Sequence, residues 1–187
     1  MVTQVSGIYI RQLEPSDAVA FQALRLQGLR ASPEAFGSTY VEDQAVSLSI
    51  VAERLTPVRT PVGRAVFGAF AGEDLVGVGG CIQEAKAKAR HTAVVWGMYV
   101  LPTHRGRGIG RQLLEEITAE AGRWPGVERL VLTVVDRANA ARHLYKAMGF
   151  RTFGRDADGL RQDGVRDTVE YLALSLRRDG ESSSAAD

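Results

Sequence analysis

Cysteine is almost missing. Cys81 is the only one in 187 residues, so an intrachain disulfide is impossible and a cysteine-rich zinc site is excluded. Histidine is nearly as scarce, and His91, His104 and His143 are too scattered to suggest a metal cluster, so no metal is expected. No apolar run reaches the roughly 18 residues of a membrane helix. The opening stretch, MVTQVSGIYIRQLEPSD, lacks the basic and apolar regions of a secretory leader. Neither sign of charge prevails: 23 Lys+Arg against 22 Asp+Glu leave a net charge of +1. Bulk attraction to nucleic acid or to an anionic membrane therefore has no compositional support. Lysine is rare as well. Only Lys86, Lys88 and Lys146 are not Arg among the basic residues, so no single arginine signals function without a local reason. These absences predict a soluble, cytoplasmic protein.

What is present is enough for a core. With 45% hydrophobic and 24% charged residues the chain reads as one globular domain. Gly7–Leu13 alternates like a first strand, and Asp17 starts a helix running to about Arg30 with Val19, Phe21, Leu24 and Leu29 inward. Ser32-Pro33-Glu34 restarts a short helix, and Val41–Leu55 reads as one more. Ala65–Ala71 and Leu75–Glu84 flank a turn at Gly72-Glu73-Asp74, a hairpin pattern. Thr92–Val100 is an apolar strand covered on both faces. Ile109–Gly122 is an amphipathic helix with Leu113, Leu114 and Ile117 inward and Glu115, Glu116 and Glu120 solvated. A buried strand Val127–Val135, a helix Asn139–Met148 closed by Gly149, and strands Phe150–Arg155 and Thr168–Leu176 follow. Asp156–Val165 reads as a loop and Arg177–Asp187 as a disordered tail. Strands precede, flank and follow helices, so the class is α+β (mixed α/β) around one central sheet.

The chemistry concentrates in Val100–Leu114, VLPTHRGRGIGRQLL. A strand ends, a loop holds Gly106, Gly108 and Gly110 among Arg105, Arg107 and Arg111, and a helix begins at once. Glycine lets main-chain N–H groups approach a ligand. A helix N-terminus adds unpaired N–H groups and the positive end of its dipole. Together they favour a phosphate or pyrophosphate. The dipole supplies only about 0.3–2 kcal/mol, so several N–H bonds and the arginines must supply the rest. A P-loop is excluded because no Gly-Lys-Ser/Thr follows. As a dinucleotide fingerprint the G-x-G-x-G spacing is poor and comes late in the chain.

Arg105-Gly106-Arg107-Gly108-Ile109-Gly110 resembles the R/Q-x-x-G-x-G/A signature of the GCN5-related N-acetyltransferases (GNAT). Leu101-Pro102 before it and Leu144-Tyr145-Lys146-Ala147-Met148-Gly149-Phe150 after it match the same family's layout, and Ser32–Ser38 looks like the early helices of many bacterial members. The resemblance implies a single N-acetyltransferase domain over residues 1–176. Its GNAT-like fold would be a mostly antiparallel sheet of about six or seven strands, splayed between strands 4 and 5 and flanked by about four helices. It implies acetyl-CoA as cosubstrate. The amides of Arg105, Gly106, Arg107, Gly108, Ile109, Gly110 and Arg111 would hold the pyrophosphate, and the main chain of Met98, Tyr99 and Val100 the pantetheine arm. The strand around Val131–Val135 would splay away to admit the thioester. Tyr145 matches the tyrosine facing the CoA sulfur. Asn139 resembles a pantetheine-contacting asparagine, but it lies six residues before the tyrosine where the family has seven. Either the helix start is shifted or Asn139 is only an N-cap.

The implied reaction is attack of a primary amine, on a small molecule or a protein, at the acetyl thioester. Making a lysine-type amine neutral at pH 7 costs about 4.6 kcal/mol, an α-amine only about 1.0–1.4 kcal/mol. Many members carry a glutamate on the strand before the loop, where this chain has Val94, Val95 and Trp96. The base is therefore open between Glu84, His91 and a water relay, and an amine of low pKa is favoured. Full proton transfer from a tyrosine to the thiolate is uphill, so Tyr145 is read as a hydrogen-bond donor. The alternative is a non-catalytic acyl-CoA-binding sensor or regulatory protein. Edge pairing near Thr168–Leu176 leaves a homodimer compatible with the pattern.

Overall fold

The structure, a computed structural model, describes residues 3–5, 7–33, 36–162 and 164–176. Among these residues there are eight strands: β1 (Thr3–Val5), β2 (Ile8–Gln12), β3 (Arg64–Ala71), β4 (Asp74–Gln83), β5 (Thr92–Val100), β6 (Arg129–Val135), β7 (Arg151–Gln162) and β8 (Val165–Ser175). Five α-helices accompany them: α1 (Ala18–Ala31), α2 (Tyr40–Gln44), α3 (Leu48–Leu55), α4 (Ile109–Ala121) and α5 (Asn139–Ala147). The strands form one sheet in the order β1-β2-β3-β4-β5-β6-β8-β7. Every neighbouring pair is antiparallel except β5 with β6. This is the expected mixed class; the short β1 adds a strand at one edge. Leaving β1 aside, the parallel pair is the fourth and fifth strand.

Two hydrophobic layers sandwich the sheet. On one face α4 inserts Ile109, Leu113, Leu114 and Ile117, joined by Trp124, Tyr145 and Phe150. On the other, Phe21, Leu24 and Leu29 of α1 pack with Val51 and Leu55 of α3 over Leu13, Val66 and Tyr99. Val19 was expected inward but is 66% exposed, because one residue along a helix turns a side chain by 100° and α1 points Ala18 and Phe21 at the sheet instead. Cys81 is fully buried in this core, and burial pushes its thiol well above the ordinary range.

Four expectations change. The helix over Val41–Leu55 is two, because Ser47 caps α3 by accepting from the Ile50 N–H. Asp156–Val165 is not a loop: β7 runs on to Gln162 and pairs with β8 from Val165, with register irregularities on the way. Thr168–Leu176 does not supply an edge, since β8 lies between β6 and β7, and the edges are β1 and β7. Glu120 is not solvated. Its side chain is 4% exposed and meets Arg59 Nε at 2.8 Å, Arg123 Nη1 at 3.0 Å and Trp124 Nε1 at 3.3 Å. The short helix at Ser32-Pro33-Glu34 falls partly, and the tail wholly, outside the described residues.

Candidate active site

The feature that opens the site is a β-bulge. Val78 pairs with Tyr99 and Gly80 with Trp96, so Gly97 and Met98 together oppose Gly79. Gly97 takes φ +66°, the left-handed conformation that the glycine type of bulge has at its first residue. The bulge resets the side-chain alternation, so that Met98 packs towards α4 while Tyr99 joins the opposite core layer. Beside it, β5 and β6 pair only at Thr92–Arg129, Ala93–Leu130 and Val94–Val131. Beyond Val94 the two strands diverge into a slot.

The slot holds a cavity of about 80 Å³, lined by Val95–Met98 of β5, Leu132–Val135 of β6, and Ala138, Ala141 and Tyr145. A larger cavity of about 460 Å³ adjoins it at the end of β5. Met98–Val100, His104–Gly106 and Gly108–Gly110 of the loop, Arg137–Ala141, Leu144, Tyr145 and Ser32 line this second space. Met98, Ala138, Ala141 and Tyr145 border both, so the two spaces form one passage from the helix N-termini into the sheet.

The loop is a cradle of main-chain donors. Gly106 and Gly108 have φ of +77° and +76°. Gly108 is the N-cap of α4 and has no side chain to satisfy the first N–H groups. The Gln112 N–H is the first to be bonded, to the Gly108 carbonyl at 3.1 Å, and the Arg105 N–H bonds the Pro102 carbonyl at 3.3 Å. Between them, the N–H groups from Gly106 to Arg111 meet no acceptor among the described residues. Arg105 braces the turn by donating its Nε to the Val100 carbonyl at 3.0 Å. At Gly110 an added Cβ would lie 3.2 Å from Leu144 Cδ2, so glycine lets α4 and α5 approach at the mouth.

Of the residues singled out from sequence, Met98, Tyr99, Val100, Arg105, Gly106, Gly108, Ile109, Gly110, Asn139 and Tyr145 line the cavity. The side chains of Arg107 and Arg111 do not. Arg111 is turned outward to Glu115 Oε1 at 2.9 Å, leaving only its main chain at the cradle. Asn139 is the first residue of α5 rather than its N-cap, which is Ala138; its Oδ1 accepts from Arg142 Nη1 at 3.4 Å. Tyr145 is buried, and desolvation raises its phenol to about 12.

Glu84 is not brought here. Its N–H bonds the Thr92 carbonyl at the opposite end of β5, and eight residues of strand separate that point from Val100, about 26 Å. His91 is at that far end too, where its carbonyl accepts from Glu128 and Arg129. Neither cavity has an acidic lining residue among the described residues. Of the lining residues, Arg137, Ala138, Ala140 and Ala141 were not singled out from sequence. Their signal was the small-residue run Ala138–Ala141, which lets a helix stand close to a ligand space.

A mixed sheet that opens at one parallel pair, with an uncapped helix N-terminus at its mouth, sets an anion-favouring helix end beside a slot in the sheet. A family model described as the acetyltransferase (GNAT) family matches residues 32–150, and the chain belongs to that family. It is similar to the L-amino acid N-acyltransferase MnaT of Escherichia coli (strain K12), 39% identical over 61 residues. That stretch is 33% of this chain and 34% of MnaT, about a third of the curated relative's length. Among solved structures, a GNAT-family acetyltransferase from Streptococcus pneumoniae aligns over 90% of this chain and 99% of its own, with TM-score 0.77 and 22% identity. The yncA protein of Salmonella typhimurium, solved with its cofactor acetyl-CoA, aligns over 96% and 100%, with TM-score 0.77 and 19% identity.

Proposed function

We propose that the protein transfers an acetyl group from acetyl-CoA to a primary amine by direct attack on the thioester. The observation that carries this reading is the row of unbonded N–H groups from Gly106 to Arg111 at the mouth of a passage ending beneath Tyr145. A diphosphate fits that cradle, and the main chain of β5 beyond Val94, unpaired towards β6, suits an extended pantetheine arm. In the slot the amine nitrogen forms a bond to the thioester carbonyl carbon, and the carbon–sulfur bond breaks. The amine proton leaves to water and the sulfur departs as thiolate, taking a proton to give free coenzyme A.

Tyr145 serves the leaving group. With its phenol at about 12, complete proton transfer to an ordinary thiolate is uphill by about 5 kcal/mol. Its role is a hydrogen bond that strengthens as charge develops on sulfur, which needs the neutral phenol that burial preserves. With no carboxylate on the lining, an acceptor that is neutral at modest cost, such as an α-amine, suits the site better than a lysine-type amine. The unpaired, buried Cys81 fits a reducing cytoplasm. The test is release of coenzyme A thiol from acetyl-CoA across a panel of primary amines. Turnover with at least one amine is expected. Tight acetyl-CoA binding without release on any amine would favour a sensor, and no binding would overturn the reading.

A further inference from the structure

Asn139 and Tyr145 both stand on α5, six residues or about 9 Å apart along its axis. The helix has only nine residues, too few to be stable alone, so its placement depends on what ties it to the sheet. Beside the packing of Tyr145 and Leu144 into the core, Arg142, three residues from both Asn139 and Tyr145, supplies a polar tie. Its Nη2 donates to Glu170 Oε1 at 2.7 Å. Its Nη1 donates to the Asp136 carbonyl at 2.9 Å and reaches Asn139 Oδ1 at 3.4 Å. Glu170, on β8, is 4% exposed at its side chain; it also accepts from Thr152 Oγ1 at 3.4 Å and lies 3.6 Å from Arg155 Nε. Meanwhile Arg142 Nε is buried with no partner among the described residues. The fork satisfies its outer nitrogens at the expense of the inner one, which marks a geometry set by what the outer nitrogens hold. Arg142 lines neither cavity.

We propose that Arg142 is a positioning residue for acyl transfer: clamped by Glu170, it fixes the start of α5 and thereby aims Asn139 and the Tyr145 phenol into the passage. The inference rests on the acetyl-transfer reading above. A planar guanidinium suits the task because one rigid fork meets a carboxylate and two separate oxygens, whereas a lysine offers a single point charge.

The experiment compares the wild type with Arg142→Met, Arg142→Lys and the double variant Arg142→Met/Glu170→Gln, which leaves no unpaired carboxylate to unfold the chain. Arg59→Met is the control, since it removes one arginine partner of the buried Glu120 outside the passage. Each is read for melting temperature, for acetyl-CoA affinity by calorimetry, and for kcat with the best amine of the panel. Displacing α5 should lower kcat about 10- to 100-fold in Arg142→Met and in the double variant, with acetyl-CoA affinity within about threefold of wild type. Arg142→Lys should fall between, and Arg59→Met should lose stability but not kcat. Wild-type turnover with an undiminished kcat in the folded Arg142 variants, or with losses no larger than in Arg59→Met, overturns the positioning role alone. Absence of turnover in the wild type overturns the transferase reading and this role with it.

Discussion

Val94 of β5 and Val131 of β6 are the last residues that these two parallel strands pair. Beyond them β5 continues along β4 to Val100 and β6 along β8 to Val135. Each strand keeps its outer partner and gives up its inner one, so the sheet opens without losing an edge. Unpaired main chain inside a sheet costs free energy unless something bonds it, a cost that an extended ligand arm, as proposed above, would recover.

Tyr145→Phe removes the phenol hydroxyl while keeping the ring against Phe150, 5.9 Å between centroids. We expect kcat to fall about 10- to 100-fold, the size of one hydrogen bond to a charged group. Acetyl-CoA affinity should change little. Steady-state kinetics beside calorimetry checks this; an unchanged kcat would make Tyr145 a packing residue.

Gly108→Ala tests the cradle against a built-in control. Gly108 and Gly126 have φ of +76° and +75°, so alanine should cost each about 1 kcal/mol of stability. Only Gly108 caps α4. The dissociation constant for acetyl-CoA should rise about tenfold or more in Gly108→Ala, roughly 1.4 kcal/mol, and stay at the wild-type value in Gly126→Ala.

Glu84→Gln should leave both kcat and the shape of the pH–rate profile unchanged, because Glu84 stands at the other end of β5 from the loop. The acidic limb should instead follow the pKa of the acceptor amine from one substrate to the next. A limb near pH 6 that disappears in Glu84→Gln would return the carboxylate to the mechanism.

Glu120 predicts the acid side of the stability curve. Burial alone would raise its carboxyl, but hydrogen bonds from Arg59, Arg123 and Trp124 outweigh that and hold it below its ordinary 4.5. A depressed carboxyl contributes stability that is present above 4.5 and is lost as pH falls through the folded value. Glu120→Gln should therefore lower stability at neutral pH by about 2 kcal/mol. It should also flatten the loss between about pH 5 and pH 3. Urea unfolding across that range measures both.

The cradle was legible because its physics is local. A strand end, three glycines and a helix start lie within a dozen residues, and the unbonded N–H groups follow from geometry that any α-helix has at its first turn. Leu113, Leu114 and Ile117 were legible for the same reason, since a period of 3.6 residues is printed in the chain. Glu120 lies three residues beyond Ile117 and shares its face, yet read as a surface residue. Its neutralising partner Arg59 is 61 residues away, and no periodicity reports a contact of that range. The Asp156–Val165 segment failed differently: its charged residues look like a loop, but β7 pairs with β8 as far as Gln162 while Asp156 and Arg161 stay exposed.

Composition, periodicity and the glycine-arginine turn were thus sufficient for the mixed class, the apolar stripe of α4 and the row of unbonded N–H groups at its start, because each depends on neighbours in the chain. Only the fold decided that Val94 and Val131 end the pairing, that Gly97 bulges opposite Gly79, that Glu84 is stranded far from the loop, and that Arg142 reaches Glu170. Those are relations between strands and helices distant in sequence, and they exist only once the sheet has brought its members side by side.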